Sequence, residues 1–238
     1  MATHKKIRLS DFDTIIFDWD GTLNKLSILY MLNRLANPVM LYRKYSSFKN
    51  ERREKLDHKK LNFYARSGKF REEENRLLVG IIDLLHRFSK PKASDGAADV
   101  LMQLHNNGKY IAVFTDGKIE RVIREAEKLG LLKYIDLIIS AQSIGRLKPD
   151  PAGIKAIIKI SKSKRESCLM VGDMYDDILA AKRAEISVCA VGGGFSSIAY
   201  LRDKMPDFLL DGIRDIPRYM LNDNRKEKKK STKVPLHR

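Results

Sequence analysis

The chain has 238 residues, 43% of them hydrophobic, enough for one domain with a real core or one domain carrying an inserted lobe. Its formal charge of +16 suits anionic partners, but seven Lys/Arg against one Glu in RKEKKKSTKVPLHR (Arg225–Arg238) place about +6 of it in a tail. No apolar run approaches the roughly 18 residues of a membrane span, and MATHKKIRLSDFD at the N-terminus lacks a signal peptide's apolar core. Secreted and membrane classes are set aside; Cys168 and Cys189, without CxxC spacing, read as buried reduced thiols of a cytoplasmic protein.

In chain order, TIIF (Thr14–Phe17) is the first short β-rich run. From about Leu26 to Phe88 no strand is convincing, and ILYMLNRL and NRLLVGIIDLL space their apolar residues as helices do. This stretch reads as a helical lobe inserted after the first strand. A helix is predicted over Ala97–Leu104 with a stop at NNG, then a strand over Tyr110–Phe114. A second helix over Ile119–Leu129 ends at Gly130, a suitable C-terminal cap. DLIIS (Asp136–Ser140) is a further strand and Pro149–Ile160 a further helix. Strands over Cys168–Val171 and Val188–Val191 bracket a helix over Asp177–Ala184, and DFLL (Asp207–Leu210) is the last strand. Such alternation predicts an α/β fold, a Rossmann-like parallel sheet flanked by helices with an inserted α-helical cap. The domain reading is residues 1–24 and 89–220 for the core, 25–88 for the cap and 221–238 for a basic, disordered tail.

Three of these strands end alike. TIIF runs into Asp18, IAVF into Thr115 and Asp116, and LMV into Gly172 and Asp173. Ligand sites of open parallel sheets lie beyond the carboxyl ends of the strands, so these groups should meet at one rim. A single such Asp is ordinarily a turn former or helix cap. Three of them on one rim argue for a site.

The series DWDGT (Asp18–Thr22), VFTDG, RLKPDP and VGDMYDD, in that order, resembles the haloacid dehalogenase superfamily and within it the phosphatase branch, with phosphoglycolate phosphatase the nearest analogue. The resemblance covers about Asp11 to Met220 on the sheet domain and the inserted lobe only loosely. It implies that Asp18 attacks phosphorus to form an aspartyl-phosphate, and that Asp20 protonates the leaving oxygen and then activates water. It implies Mg²⁺ held by Asp18, the backbone carbonyl of Asp20, Asp173 and Asp177, the last directly or through a water. Thr115 would hydrogen-bond the phosphoryl oxygens, the amides of Asp116 and Gly117 would extend that cradle, and Lys148 would neutralise transition-state charge. Thr22 favours hydrolysis over the sugar-phosphate mutase branch. Glu185 stands where the family often has Gly, and Asn24–Lys25 where many relatives have Asp-Ser.

The substrate implied is a small phosphorylated metabolite. Rival readings are a mutase, a phosphonate hydrolase or a pyrophosphatase of the same superfamily, a phosphatase contacting nucleic acid through the basic tail, and a catalytically silent binding module. Trp19 is read as packing beneath the lobe, VGGGF (Val191–Phe195) as a flexible turn rather than a phosphate cradle, and Asp176 as facing solvent or capping a helix. Arg66, Lys69 and Arg71 are read as a solvated charge run, and the five histidines form no catalytic pattern.

Overall fold

The computed structural model describes residues 9–25 and 90–221. The chain divides into two units, Met1–Lys25 with Pro91–Arg238 and Leu26–Lys90. The first is described below. The helical lobe, the basic tail, Arg66, Lys69, Arg71 and all histidines except His105 lie outside the described residues.

Six strands form one parallel sheet: β1 (Thr14–Phe17), β2 (Tyr110–Thr115), β3 (Leu137–Ser140), β4 (Cys168–Gly172), β5 (Ser187–Val191) and β6 (Phe208–Leu210). Their spatial order is β3-β2-β1-β4-β5-β6. The chain runs outward from β1 to β3, crosses over, and runs outward again from β4 to β6. The strand order therefore reverses between β1 and β4, where such sheets open a crevice at their carboxyl ends.

β1 is buried along its whole length, as a central parallel strand covered on both faces must be. Its period-2 alternation splits it between two cores. Ile15 and Phe17 pack with α1 (Ala97–Asn106) and α2 (Ile119–Lys128) through Val100, Leu101, Val122 and Ala126. Ile16 packs on the opposite face with α3 (Ala152–Ser161) and α4 (Tyr175–Ala184) through Ile154, Ile157, Ile178 and Ala181. Among the described residues of this unit, two further short helices follow, α5 (Ile198–Asp203) and α6 (Ile216–Leu221). The α/β reading of the sequence holds, with every expected strand of the core in place.

Boundaries moved where capping outweighs apolar spacing. The expected Pro149–Ile160 helix starts at Ala152, because the Asp150 side chain accepts its first amide at 2.9 Å. The expected Asp177–Ala184 helix starts earlier, at Tyr175, and Asp177 sits inside its first turn. Asp136 and Asp207, assigned to strands, instead cap neighbouring ones: their carboxylates accept the amides of Ile111 at 2.7 Å and Val188 at 2.8 Å. Glu185 closes α4 in the left-handed conformation at φ 59°, the conformation for which glycine is ordinarily chosen, so the turn into β5 survives the substitution. No helix among the described residues is long and apolar enough to cross a membrane.

Candidate active site

Asp18 follows β1 directly, and its amide donates to Val171 O at 2.9 Å, carrying the β1–β4 pairing one residue past the strand. Thr115 ends β2, Ser140 ends β3, and Gly172 ends β4 just before Asp173. Because all strands run parallel, these residues share one rim. Lys148 arrives from the loop between β3 and α3, with its backbone N–H held by Asp116 Oδ1 at 3.0 Å.

The Lys148 ammonium donates to Asp18 Oδ1, to Asp177 Oδ1 at 2.8 Å and to Phe114 O at 3.3 Å. The other Asp177 oxygen accepts the Met174 amide at 3.0 Å, so one carboxylate both caps α4 and faces the rim. Asp173 Oδ1 accepts from Thr22 Oγ1 at 3.0 Å, and its Oδ2 accepts from the Phe195 amide at 2.5 Å. The glycine run before Phe195 thus has a definite task. A Cβ on Gly194 would overlap the Asp173 carboxylate, so only glycine lets this loop reach it. Gly21 is required twice over: its φ is +95°, and a Cβ there would lie 2.5 Å from Asp173 Oδ2.

Carboxylate oxygens of Asp18, Asp173 and Asp177 lie within 4.8 Å of one another, all three residues buried. Burial holds the Asp18 carboxyl well above the usual range; Lys148 pulls it down, and Asp177 and Asp173 push it further up. Burial and then the Asp177 charge raise Asp173 to about 7, against the Phe195 and Thr22 hydrogen bonds. Burial alone would lower Lys148, but Asp177 and Asp18 overcome it and hold the ammonium well above the ordinary lysine value. With all four groups ionised, three negative charges face one positive one in a site of low dielectric. A divalent cation would cancel the surplus of about two, and an all-carboxylate donor set suits a hard ion. The residues fit a metal.

The raised Asp173 carboxyl has a consequence for stability. The folded protein retains a proton up to about pH 7 that the unfolded chain releases near the ordinary aspartate value of 3.8. It therefore binds more protons than the unfolded chain in that window, and its metal-free stability falls as pH rises. With chelator present, the melting temperature of the wild type relative to Asp173→Asn should drop between about pH 5 and 7 and level off above. A flat or rising difference would contradict the assignment.

Among the expected phosphate ligands, Thr115 Oγ1 accepts from the Gly117 amide at 3.0 Å, and Ser140 Oγ donates to Gly117 O at 2.6 Å. These bonds shape the turn expected to cradle a phosphoryl group. Asp116, whose side chain had no assigned role, positions the Lys148 loop. Asp176, expected at the solvent or as a cap, is buried in the first turn of α4.

Asp20 stands apart from the three-carboxylate cluster. Its two oxygens are held by the Arg121 guanidinium at 2.8 and 2.5 Å, and Arg121 also donates to Glu125 Oε2 at 3.0 Å. The same Glu125 oxygen accepts from Trp19 Nε1 at 2.8 Å, so the indole is buried in the core beside α2 with its N–H satisfied. Arg121 and Glu125 escaped the sequence reading. One signal was available: Glu125 falls between Val122 and Ala126 on the apolar face of α2, where an unpaired carboxylate would be costly.

Residues 15–191 match the family of haloacid dehalogenase-like hydrolases. The chain belongs to that family. Among its curated relatives, pyrophosphatase PpaX of Listeria innocua is 26% identical over 144 residues, which are 60% of this chain and 66% of the Listeria protein. The chain thus matches a little under two thirds of the length of that relative. Pyrophosphatase PpaX of Halalkalibacterium halodurans is 25% identical over 87% of this haloacid dehalogenase-like chain and 95% of its own. Phosphoglycolate phosphatase 1 of Pseudomonas aeruginosa is 30% identical over 51% of this chain and 44% of its own. A crystal structure from Haemophilus somnus, described as a predicted phosphoglycolate phosphatase, superposes with a TM-score of 0.63 at 21% identity, covering 87% of this chain and 97% of that one. That likeness establishes the shared fold.

Proposed function

We propose that this haloacid dehalogenase-like protein is a Mg²⁺-dependent phosphatase that hydrolyses a small phosphorylated metabolite through an aspartyl-phosphate. The observation that carries the reading is the buried trio Asp18, Asp173 and Asp177 at the strand-order reversal, with Asp18 and Asp177 paired to Lys148. Mg²⁺ would be held by Asp18, Asp173, Asp177 and the Asp20 carbonyl, and would supply electrostatic relief for a carboxylate meeting an anionic phosphoryl group.

The chain's own residues do the rest. An Asp18 oxygen bonds to phosphorus as the bond from phosphorus to the ester oxygen breaks. The Asp20 carboxyl gives that oxygen its proton and is left as carboxylate. Thr115, the amides of Asp116 and Gly117, and the Lys148 ammonium hold the phosphoryl oxygens as charge shifts onto them. Water then attacks phosphorus, Asp20 takes up its proton, and inorganic phosphate leaves as Asp18 is restored. The division of the chain after Lys25 and after Lys90 supports a core of residues 1–24 and 89–220 with residues 25–88 as an inserted cap.

Phosphoglycolate-like monoesters are the first substrate class to consider, in keeping with the Pseudomonas relative. Pyrophosphate is the second, favoured by the Listeria and Halalkalibacterium relatives. Phosphate release should be screened over 2-phosphoglycolate, sugar phosphates, nucleotides and pyrophosphate, each with Mg²⁺ and with chelator. Turnover of at least one compound, abolished by chelator, is expected. Release from none would overturn the enzyme reading, and chelator-insensitive release would overturn the metal.

A further inference from the structure

We propose that Arg121 is a positioning residue that holds the Asp20 carboxylate in place for the water step, with Glu125 fixing Arg121 in turn. The inference rests on the phosphatase reading above, in which Asp20 takes the proton of the attacking water.

Arg121 offers both guanidinium nitrogens to Asp20, Nη1 to Oδ1 at 2.8 Å and Nη2 to Oδ2 at 2.5 Å. Such a two-point fork fixes the plane of the carboxylate as well as its place, which a single hydrogen bond cannot do. Both Asp20 oxygens act as acceptors in it. This is the form Asp20 has after its proton has gone to the leaving group and before it takes one from water.

The fork is itself anchored. Arg121 Nη1 donates to Glu125 Oε2 at 3.0 Å, one helical turn along α2. That oxygen also accepts from Trp19 Nε1 at 2.8 Å and from Asn24 Nδ2 at 3.4 Å. Trp19 and Asn24 come from the segment that carries Asp20, so Glu125 ties α2 back to the motif at either side of the residue being positioned. The side chains of Arg121, Asp20 and Glu125 are 11%, 6% and 7% exposed, which removes most of the competition from water. Burying two carboxylates and a guanidinium carries a desolvation cost that their mutual pairing must offset.

The guanidinium also lies along the cradle. A Cβ on Gly117 would overlap Arg121 Nη2 and come 3.2 Å from Thr115 Oγ1. The missing side chain at Gly117 therefore leaves the space that Arg121 fills, between the phosphate-binding turn and Asp20. None of the sequence motifs includes Arg121.

The test separates the two half-reactions with p-nitrophenyl phosphate, whose leaving group departs without a proton. kcat/KM then reports steps through nitrophenolate release, while kcat also contains the water step. For Arg121→Met, kcat should fall at least about tenfold with kcat/KM held within about twofold. A pre-steady-state burst approaching about one nitrophenolate per enzyme, larger than in the wild type, should accompany it. Arg121→Lys keeps the charge but not the fork and should move both readouts the same way by less; it decides the matter if Arg121→Met does not fold. Asp20→Asn is the reference and should show the largest split. Equal loss of kcat and kcat/KM in the Arg121 variants without an enlarged burst, beside a split in Asp20→Asn, would overturn the positioning role alone. Absence of the split in Asp20→Asn would overturn the Asp20 assignment and this inference with it.

Discussion

Asp18→Asn should abolish phosphate release, a loss of at least about 10⁴-fold, while the metal-free protein melts at the same or a higher temperature. The two halves of this expectation have one cause. Asp18 is the rim carboxylate that directly follows the central strand, and an amide cannot attack phosphorus as a carboxylate does. The same burial that dries the site raises the Asp18 carboxyl well above its ordinary range, so keeping it ionised costs the folded state free energy. Asn preserves the shape and removes one of three mutually repelling charges, leaving Lys148 opposite Asp177 at 2.8 Å and Asp173 nearby. Phosphate release and thermal unfolding in chelator, measured on one preparation, check both. Retained turnover would sink the nucleophile assignment, and a large drop in melting temperature would show that the charge cluster does not oppose folding.

The second large effect is expected at Lys148. Lys148→Met keeps an apolar stem of similar length but leaves Asp18, Asp173 and Asp177 buried without their cation. Removing one partner from a buried ionic cluster typically costs about 3–5 kcal/mol. The Asp173 carboxyl, already raised to about 7, can relieve part of this by taking a proton. The loss of stability in chelator should therefore be smaller at pH 6 than at pH 8, and Mg²⁺ should restore part of it by replacing the missing positive charge. Turnover should fall by about 10²–10³-fold even with Mg²⁺ saturating, because in the proposed mechanism Lys148 would also meet charge on the transferring group. Chemical denaturation at the two pH values, with and without Mg²⁺, measures the first effect, and steady-state kinetics the second. Equal destabilisation at both pH values would mean that the carboxylates do not share protons in the way their burial implies.

These two side chains show what kind of information each level carries. Asp18, Thr115 and Asp173 were legible because each directly follows or closes an apolar β run, and a parallel sheet sends every such end to one rim. Lys148 was legible only through the order of its motif, since a lysine before proline in a loop is ordinarily solvated. Its reach to Asp18 and Asp177 depends on the fold of the loop after β3, held by the Asp116 side chain. No local pattern in the sequence distinguishes that carboxylate. Asp176 went the other way: helical spacing cannot tell a buried first-turn acid from an exposed one, and packing buried it.

The alternation of short β runs with helical spacing was sufficient by itself to determine the α/β class and the strands, because these depend on periodicities of two and 3.6 within the chain, while the motif residues stood out through the order of their motifs. Strand order lay beyond it. Which strand β4 would pair with is decided by packing across the sheet, and it is the β1–β4 pairing that brings Asp173 to Asp18. The fork from Arg121 to Asp20 likewise joins positions 101 residues apart through a glycine-sized gap at Gly117. Such a contact depends on side-chain volume and distance in the folded state, and neither is written in the spacing of residues along the chain.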